Sequence, residues 1–199
     1  MYISIEGNIG SGKSTLAKAL AKQLNAIYLP EKFEENVLIP LFYKDRKKYA
    51  FPTEYSFLIE RHKQLTTFFK TKKQSSITVS DFHFDKSICF AKANLCKEDY
   101  SYFKKHFKSI KSSIEEPNLI VYINSEVPLL VENIKKRGRE MEKGIEVDYL
   151  ILLKKIFDNY YLIKDKIKTK ILVLTIDSYN EKTLNVCCKK IIEELNCSK

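Results

Sequence analysis

Glycine is scarce in this chain, and the few glycines are concentrated in one place. Only five occur among 199 residues, and three of them stand between positions 7 and 12. No glycine-, proline- or serine-rich linker, internal repeat or low-complexity segment interrupts the sequence. We therefore expect a single domain over residues 1–199, large enough to form a core without metal or disulfide cross-links.

Paired cysteine patterns and long apolar runs are also missing. The five cysteines are odd in number and show no C-x-x-C spacing, which argues against a disulfide framework and against a zinc site. The apolar runs are far shorter than the roughly 20 residues that a membrane helix needs, and we expect no signal peptide before the first apolar segment. We expect a cytoplasmic protein with reduced thiols and no membrane partner.

The charge is basic but dispersed. The formal net charge is +10, yet the lysines are scattered among 25 acidic residues rather than gathered in one block. We interpret most of them as solvated helix surface and expect no nucleic-acid partner. A positive field would still attract polyanionic nucleotides.

Residues 7–15 carry the strongest functional signal. They contain the pattern G-x-x-x-x-G-K-[ST], with a short apolar strand before it and a helical segment with leucines on one face after it. In such a phosphate loop, backbone N–H groups and the helix N-terminus converge on phosphate oxygens. Lys13 would reach the β- and γ-phosphates, and the Ser14 hydroxyl would ligate Mg²⁺. The predicted ATP-binding residues are Gly7, Asn8, Ile9, Gly10, Ser11, Gly12, Lys13, Ser14 and Thr15.

Apolar runs with helical stretches between them predict an α/β fold. The expected strands are Tyr2–Ile5, Ala26–Leu29, Ile77–Ser80, Leu119–Ile123 and Ile171–Ile176. The expected helices include one from Pro52 towards Phe69, and then Asp85–Leu95, Asp99–Ile110, Val127–Lys136, Val147–Lys164 and Asn180–Leu195. Because the strands are uniformly apolar, we expect a doubly wound, five-stranded parallel sheet covered by helices on both faces. Ligands should bind at the C-terminal ends of its strands.

Two carboxylates follow predicted strands. Glu31 comes directly after the second strand and could act as a base or orient a hydroxyl acceptor; an exposed loop glutamate is the alternative. Asp81 ends the third strand and is a candidate second group for Mg²⁺ and its waters, or an N-cap for the next helix.

A basic cluster follows the helix after the fourth strand. Arg137 and Arg139 flank a glycine and could close over a transferring phosphoryl group, as part of a lid at about residues 136–146. The alternative is a solvated pair between Arg139 and Glu142 on a helix.

In this order the pieces resemble the deoxyribonucleoside kinase family, over almost the whole chain. The stretch from residue 41 to residue 52 is similar to the family's Tyr-Lys-Asp-Pro…Trp-Ala segment, and its lid motif R-x-R-x-x-E matches at residues 137–142. The resemblance implies that Glu31 is the general base and that Tyr43 and Glu142 share the sugar 3′-hydroxyl. It also implies transfer of the γ-phosphoryl group of ATP, with Mg²⁺, to a deoxynucleoside 5′-hydroxyl, and a homodimer.

The chain departs from the family's pattern at three places. Glu54 stands where the family usually has a base-reading glutamine. Asp81 is followed by Phe82-His83 rather than by an arginine, which leaves Lys86, about one helical turn further on, as the candidate substitute and His83 as a possible lining residue. Asn133 replaces a further lid arginine of some relatives.

Glu54 suggests a preference among substrates. Ionised glutamate only accepts hydrogen bonds, and the Watson–Crick edge of guanine presents two adjacent donors. We hypothesise that ionised Glu54 favours deoxyguanosine, whereas a buried, protonated Glu54 would mimic glutamine.

Three other functions compete with this one. A nucleoside monophosphate kinase such as a thymidylate kinase would need extra cations at the acceptor, and the Tyr43 segment and the missing arginine speak against it. A nucleotide-dependent switch would need a guanine-binding N-K-x-D motif and a D-x-x-G motif, which the sequence lacks. A basic nucleic-acid-binding protein would bind DNA tightly and in a salt-sensitive manner.

Overall fold

The architecture is a parallel sheet between two layers of helices. The computed structural model describes residues 1–33, 36–72, 76–163 and 167–197, without the side chain of Met141. Its strands are β1 (Tyr2–Gly7), β2 (Ile27–Leu29), β3 (Thr78–Ser80), β4 (Leu119–Asn124) and β5 (Lys170–Thr175). Its helices are α1 (Lys13–Gln23), α2 (Ile39–Lys44), α3 (Arg46–Thr71), α4 (Lys86–Asn94), α5 (Lys97–Lys111), α6 (Val127–Arg137), α7 (Val147–Tyr161) and α8 (Glu181–Asn196). The strand order is β2-β3-β1-β4-β5 and every pairing is parallel, so the predicted fold class is confirmed.

The inner strands are buried along their length because each face of the sheet has its own hydrophobic core. Along β4, Ile120 and Tyr122 pack with residues of α3, α4, α5 and α7 on one face. Val121 and Ile123 pack with residues of α1 and α8 on the other face. Burial of each such side chain contributes roughly 1.5–3 kcal/mol. The edge strands β2 and β5 are only partly buried, so the predicted cover on both faces holds for the inner strands.

Helix α3 starts earlier than the sequence pattern predicts. It begins at Arg46, and the side chain of Asp45 caps it by accepting a hydrogen bond from the Lys48 amide at 3.1 Å. The prediction that Pro52 opens the helix is wrong, because a capping aspartate precedes it and Pro52 lies in the second turn. The short helix α2 before it was not predicted, and the predicted end of α7, Lys164, lies outside the described residues.

The topology brings three strand ends together. Because β2, β3 and β1 are adjacent and parallel, the phosphate loop after β1, Glu31 after β2 and Asp81 after β3 meet at one edge. Asp81 does not serve as a helix cap, because α4 begins only at Lys86 with Asp85 at the N-cap position. Within the described ranges, none of the helices combines the length and the apolar character needed to cross a bilayer.

Candidate active site

The phosphate loop has the backbone geometry that its glycines predict. Gly10 and Gly12 adopt φ angles of 80° and 78°, in the left-handed region, and Gly12 is the N-cap residue of α1. The ammonium group of Lys13 donates to the carbonyl oxygens of Gly7 at 3.0 Å and Asn8 at 2.8 Å. Burial and the nearby Lys86 lower the pKa of Lys13 to about 8. The lysine is therefore held over the loop in a partly desolvated position.

Side chains from distant elements support this loop. Asn133 on α6 donates from Nδ2 to the carbonyl oxygen of Gly10 at 2.8 Å. Tyr179 donates from its hydroxyl to the carbonyl oxygen of Ser11, and its ring lies where a side chain on Gly12 would have to go. Asn133, noted in the sequence only as a departure from the lid arginine of some relatives, thus fixes the loop, and neither support was indicated by the sequence.

Glu31 is clamped between two cations. Its Oε1 accepts from Arg61 Nε at 2.8 Å, and its Oε2 accepts from Lys86 Nζ at 2.6 Å. Burial by itself would raise the pKa of Glu31, but Lys86 and Arg61 outweigh it and lower the pKa to about 2. The carboxylate is only 9% exposed, so the alternative of an exposed loop glutamate is wrong.

Arg61 is the site residue that the sequence reading missed. It is buried in α3, and its Nη1 also donates to the Ser87 hydroxyl at 2.9 Å. Its signal in the sequence is a charged residue three positions after Leu58 and four before Leu65, on the buried stripe of the helix. Lys86, the predicted substitute for the missing arginine, does reach Glu31.

Asp81 holds the β2 and β3 ends together. Its Oδ1 accepts from the Glu31 amide at 2.7 Å, and its Oδ2 accepts from the Tyr28 hydroxyl at 2.7 Å. Glu6, another residue not singled out in the sequence, bridges the same edge by accepting from the Gly7 and His83 amides. The His83 ring faces away from the cavity, with Nε2 3.5 Å from Glu116.

The segment after α6 folds back on itself. Helix α6 ends at Arg137, Gly138 caps it with a φ of 66°, and a 3-10 turn follows over Glu140–Glu142. Arg137 donates to Glu142 with Nε at 3.0 Å and Nη2 at 2.6 Å, and Arg139 Nη1 lies 3.6 Å from the same carboxylate. Glu142 is only 7% exposed, so a solvated helical pair is not the right description.

Tyr43 on α2 and Glu54 on α3 also line the cavity. The pKa of Tyr43 is raised to about 12, first by burial and then by the negative charge of Glu142, so the two groups are neighbours. Glu54 accepts from Asn94 Nδ2 at 2.6 Å, and burial raises its pKa to about 7. The ionised and the protonated form of Glu54, which the sequence left as alternatives, are therefore both populated near neutral pH.

These groups line one cavity of about 230 Å³. The predicted residues in its wall are Ile9, Gly10, Gly12, Lys13, Ser14, Thr15, Glu31, Tyr43, Glu54, Asp81, Arg137, Arg139 and Glu142. The remaining predicted loop residues, Gly7, Asn8 and Ser11, are buried outside the wall.

A phosphate loop at the edge of a parallel sheet, opposite a clamped carboxylate, defines the class of P-loop kinases. Comparison with known proteins narrows the class. A family model described as deoxynucleoside kinase matches residues 3–196. The chain belongs to the deoxynucleoside kinase family, as the sequence resemblance predicted.

Individual relatives agree with this assignment. The chain is 35% identical over 179 residues to a deoxyguanosine kinase of Bacillus subtilis (strain 168), covering 88% of this chain and 86% of that one. It is 30% identical over 173 residues to a deoxyadenosine kinase of Lactobacillus acidophilus, covering 80% and 79%. A structure of deoxyadenosine kinase from M. mycoides with the products dCMP and a flexible dCDP bound superimposes with a TM-score of 0.82 at 25% identity, over 100% of both chains.

Proposed function

We propose that this protein transfers the γ-phosphoryl group of ATP to the 5′-hydroxyl of a deoxynucleoside. The observation that carries the proposal is the position of Glu31, which lines the same cavity as Lys13 and is held ionised by Arg61 and Lys86. A carboxylate in that position can align a hydroxyl nucleophile with a phosphate held by the loop.

Glu31 acts in this mechanism as the general base. Its two cationic partners keep it ionised, and they also make it a weak base because they stabilise its charge. In the loose transition state of phosphoryl transfer, the proton leaves the hydroxyl late, as the new P–O bond forms. Orientation of the hydroxyl is therefore the main contribution of Glu31, and proton acceptance follows.

Lys13, Arg137 and Arg139 stabilise the charge on the transferring group. All three line the cavity. Lys13 would exchange its hydrogen bonds to loop carbonyls for bonds to phosphate oxygens, and Arg137 would exchange one carboxylate partner for phosphate. Because Arg137 binds Glu142 in the present geometry, this exchange requires the lid at about residues 136–146 to change shape when the nucleotide binds.

The metal would be Mg²⁺ bound together with ATP. Ser14 and Asp81 both line the cavity and offer hydroxyl and carboxylate oxygens, the donor type that Mg²⁺ prefers. Both Asp81 oxygens already accept one hydrogen bond each, which leaves lone pairs for metal-bound waters. When bound, the ion neutralises charge on the β- and γ-phosphates.

Tyr43 and Glu142 would hold the sugar. Both line the cavity, and a phenol beside a carboxylate offers one donor and several acceptors to a 3′-hydroxyl. This is the arrangement that the family resemblance implies for them.

The decisive test is Glu31→Gln, assayed with ATP, Mg²⁺ and the four deoxynucleosides. We expect kcat to fall by about 10²–10⁴, the usual contribution of a positioned base. Glu132→Gln is the matched control, because that glutamate is 56% exposed on α6 and pairs only with Lys136 among the described residues. Wild-type turnover by Glu31→Gln would remove Glu31 from the mechanism, and no turnover of any deoxynucleoside by the wild type would refute the function.

A nucleoside monophosphate kinase is the nearest alternative. It would need cations to bind the acceptor's own phosphate. Within the described part of the chain, Arg61 and Lys86 stand beside Glu31, but both already bind that carboxylate and are therefore not placed to bind an acceptor phosphate. An assay with dTMP beside thymidine separates the two functions, and we expect phosphorylation of deoxynucleosides only.

We further propose that the protein is a cytoplasmic homodimer. Helix α7 and the residues after it expose apolar side chains that a second copy could cover, among them Val147, Ile151 and Leu162. Light scattering coupled to size exclusion should give twice the monomer mass of 23.3 kDa. Cell fractionation should place the activity in the cytoplasmic fraction.

A further inference from the structure

One carboxylate oxygen in the cavity has no hydrogen-bond partner. Glu54 on α3 is only 2% exposed, and its Oε1 accepts from Asn94 Nδ2, at the end of α4, at 2.6 Å. Its Oε2 is fully enclosed and receives no hydrogen bond from any described residue. The Thr53 hydroxyl beside it is enclosed and unpaired in the same way. All three residues line the cavity.

This asymmetry has a chemical meaning. Buried polar atoms are normally hydrogen-bonded, and an unpaired one carries a free-energy penalty that a partner relieves. Asn94 occupies one oxygen of Glu54 and fixes the orientation of the carboxyl group. The other oxygen is then an acceptor of fixed orientation, and a bound molecule that satisfies it must first displace the side chains that enclose it.

The surroundings indicate which part of a substrate lies there. Phe57 and Phe90 line the same cavity and provide apolar, aromatic surface suited to a flat ring. Arg61, which holds Glu31, lies about two helical turns beyond Glu54 on α3, so Glu31 and the phosphate loop, where the 5′-hydroxyl must react, are displaced from Glu54. The base of the deoxynucleoside is therefore the part that meets Glu54.

We propose that Glu54 and Asn94 form a base-reading pair, in which Asn94 is a positioning residue that presents Glu54 Oε2 to a 6-oxopurine. This inference rests on the proposed function and deepens it. The Watson–Crick edge of guanine offers N1–H and N2–H₂ as adjacent donors to a carboxylate. The same edge of adenine offers one donor beside the N1 lone pair, which a carboxylate oxygen repels. Rejection of adenine thus comes from lone-pair repulsion as well as from a missing hydrogen bond.

Protonation of Glu54 should weaken this selection. Burial raises the pKa of Glu54 to about 7, and Asn94, Arg61 and Lys86 oppose the effect of burial. Tyr43 and Tyr149 also interact with Glu54, and because burial raises the pKa of both phenols they are neutral between pH 6 and pH 8. Below the pKa, the neutral carboxyl group gains a donor and resembles glutamine. Preference for the oxopurine should therefore be greater at pH 8 than at pH 6.

The test compares kcat/KM for deoxyguanosine, deoxyinosine and deoxyadenosine in the wild type and in Glu54→Gln. We expect the wild type to prefer deoxyguanosine by at least about tenfold, with deoxyinosine between, because it keeps N1–H and lacks the N2 amino group. Glu54→Gln should lower the ratio of kcat/KM for deoxyguanosine to kcat/KM for deoxyadenosine at least about tenfold. It should retain deoxyadenosine turnover and abolish the pH dependence of that ratio. Glu60→Gln, an exposed residue on the same helix, is the control.

Asn94→Ala tests the positioning role separately. It should raise KM for deoxyguanosine more than it lowers kcat, and it should lower the ratio of kcat/KM for deoxyguanosine to kcat/KM for deoxyadenosine. A merely structural defect would lower kcat/KM for both substrates by the same factor. Asn94→Ser serves if the alanine variant does not fold. The inference is overturned if Glu54→Gln remains active with an unchanged ratio. If the wild type turned over none of the deoxynucleosides, the proposed function itself would have failed.

Discussion

Lys86 Nζ lies 2.6 Å from Glu31 Oε2, on the opposite carboxylate oxygen from Arg61. The two cations reach Glu31 from different helices, α4 and α3, so the carboxylate is fixed in orientation as well as in charge. Two cations therefore hold Glu31 although no arginine directly follows Asp81, and one of them, Arg61, was not singled out in the sequence.

Removal of the Lys86 charge should move the acid limb of the plot of kcat against pH to higher pH. The pKa of Glu31 is about 2 with both cations in place, so the wild type should keep this group ionised across the working range. Lys86→Met leaves burial opposed by Arg61 alone and raises that pKa. We expect kcat of the variant to fall more at pH 5 than at pH 8. Lys92→Met, an exposed lysine on the same helix, should leave the profile unchanged, and an unshifted limb in Lys86→Met would contradict the assignment.

The two cations that bind Glu31, Arg61 and Lys86, should also make the stability of the fold sensitive to acid. The pKa of Glu31 falls from an ordinary value of 4.5 to about 2 on folding, so the ionised group stabilises the native state above pH 4.5 by up to about 3 kcal/mol. That contribution is lost as the pH falls from 4.5 towards 2. Urea unfolding at pH 7 and pH 3 should show the wild type losing its advantage over Glu31→Gln at the lower pH. A difference that does not depend on pH would show that the pair adds no stability.

Arg137→Lys tests the planar fork of the lid. Arginine binds Glu142 through two nitrogens, and the same fork suits a phosphoryl group, whereas lysine offers a single charge. We expect kcat to fall about 10- to 100-fold, equivalent to roughly 1.4–2.7 kcal/mol of transition-state stabilisation. Lys136→Met, on the adjacent exposed position, is the control. Equal turnover in the two variants would exclude Arg137 from charge stabilisation.

Gly12→Ala should disable the phosphate loop. Its φ of 78° disfavours any side chain by roughly 1 kcal/mol, and a Cβ there would meet the ring of Tyr179. We expect lower thermal stability and loss of ATP binding by calorimetry. Gly144→Ala provides the contrast, because a Cβ at that position meets nothing within 4 Å. Wild-type ATP affinity in Gly12→Ala would mean that the loop tolerates a different backbone.

Local chemistry explains what could be predicted from the sequence. The phosphate loop is a contiguous motif, and five apolar runs with helical spacing between them suffice to predict a parallel sheet with its site at the strand ends. Glu31 and Asp81 were found because they follow strands whose ends a parallel sheet brings to one edge, and the arginines after α6 because they flank a glycine in a basic cluster.

Contacts across the fold were decided only by tertiary packing. Arg61 clamps Glu31, Asn94 holds Glu54 and Asn133 supports Gly10, and the two residues of each pair are 30 or more positions apart in the sequence. No local pattern encodes these partners, because they depend on which helix faces which strand end. The start of α3 was mispredicted because Asp45 outcompetes Pro52 as the capping signal. The sequence by itself determined the phosphate-loop motif and its place between the first strand and the first helix; the packing of α3 against α4 decided which cations hold Glu31 and which oxygen of Glu54 is left unpaired.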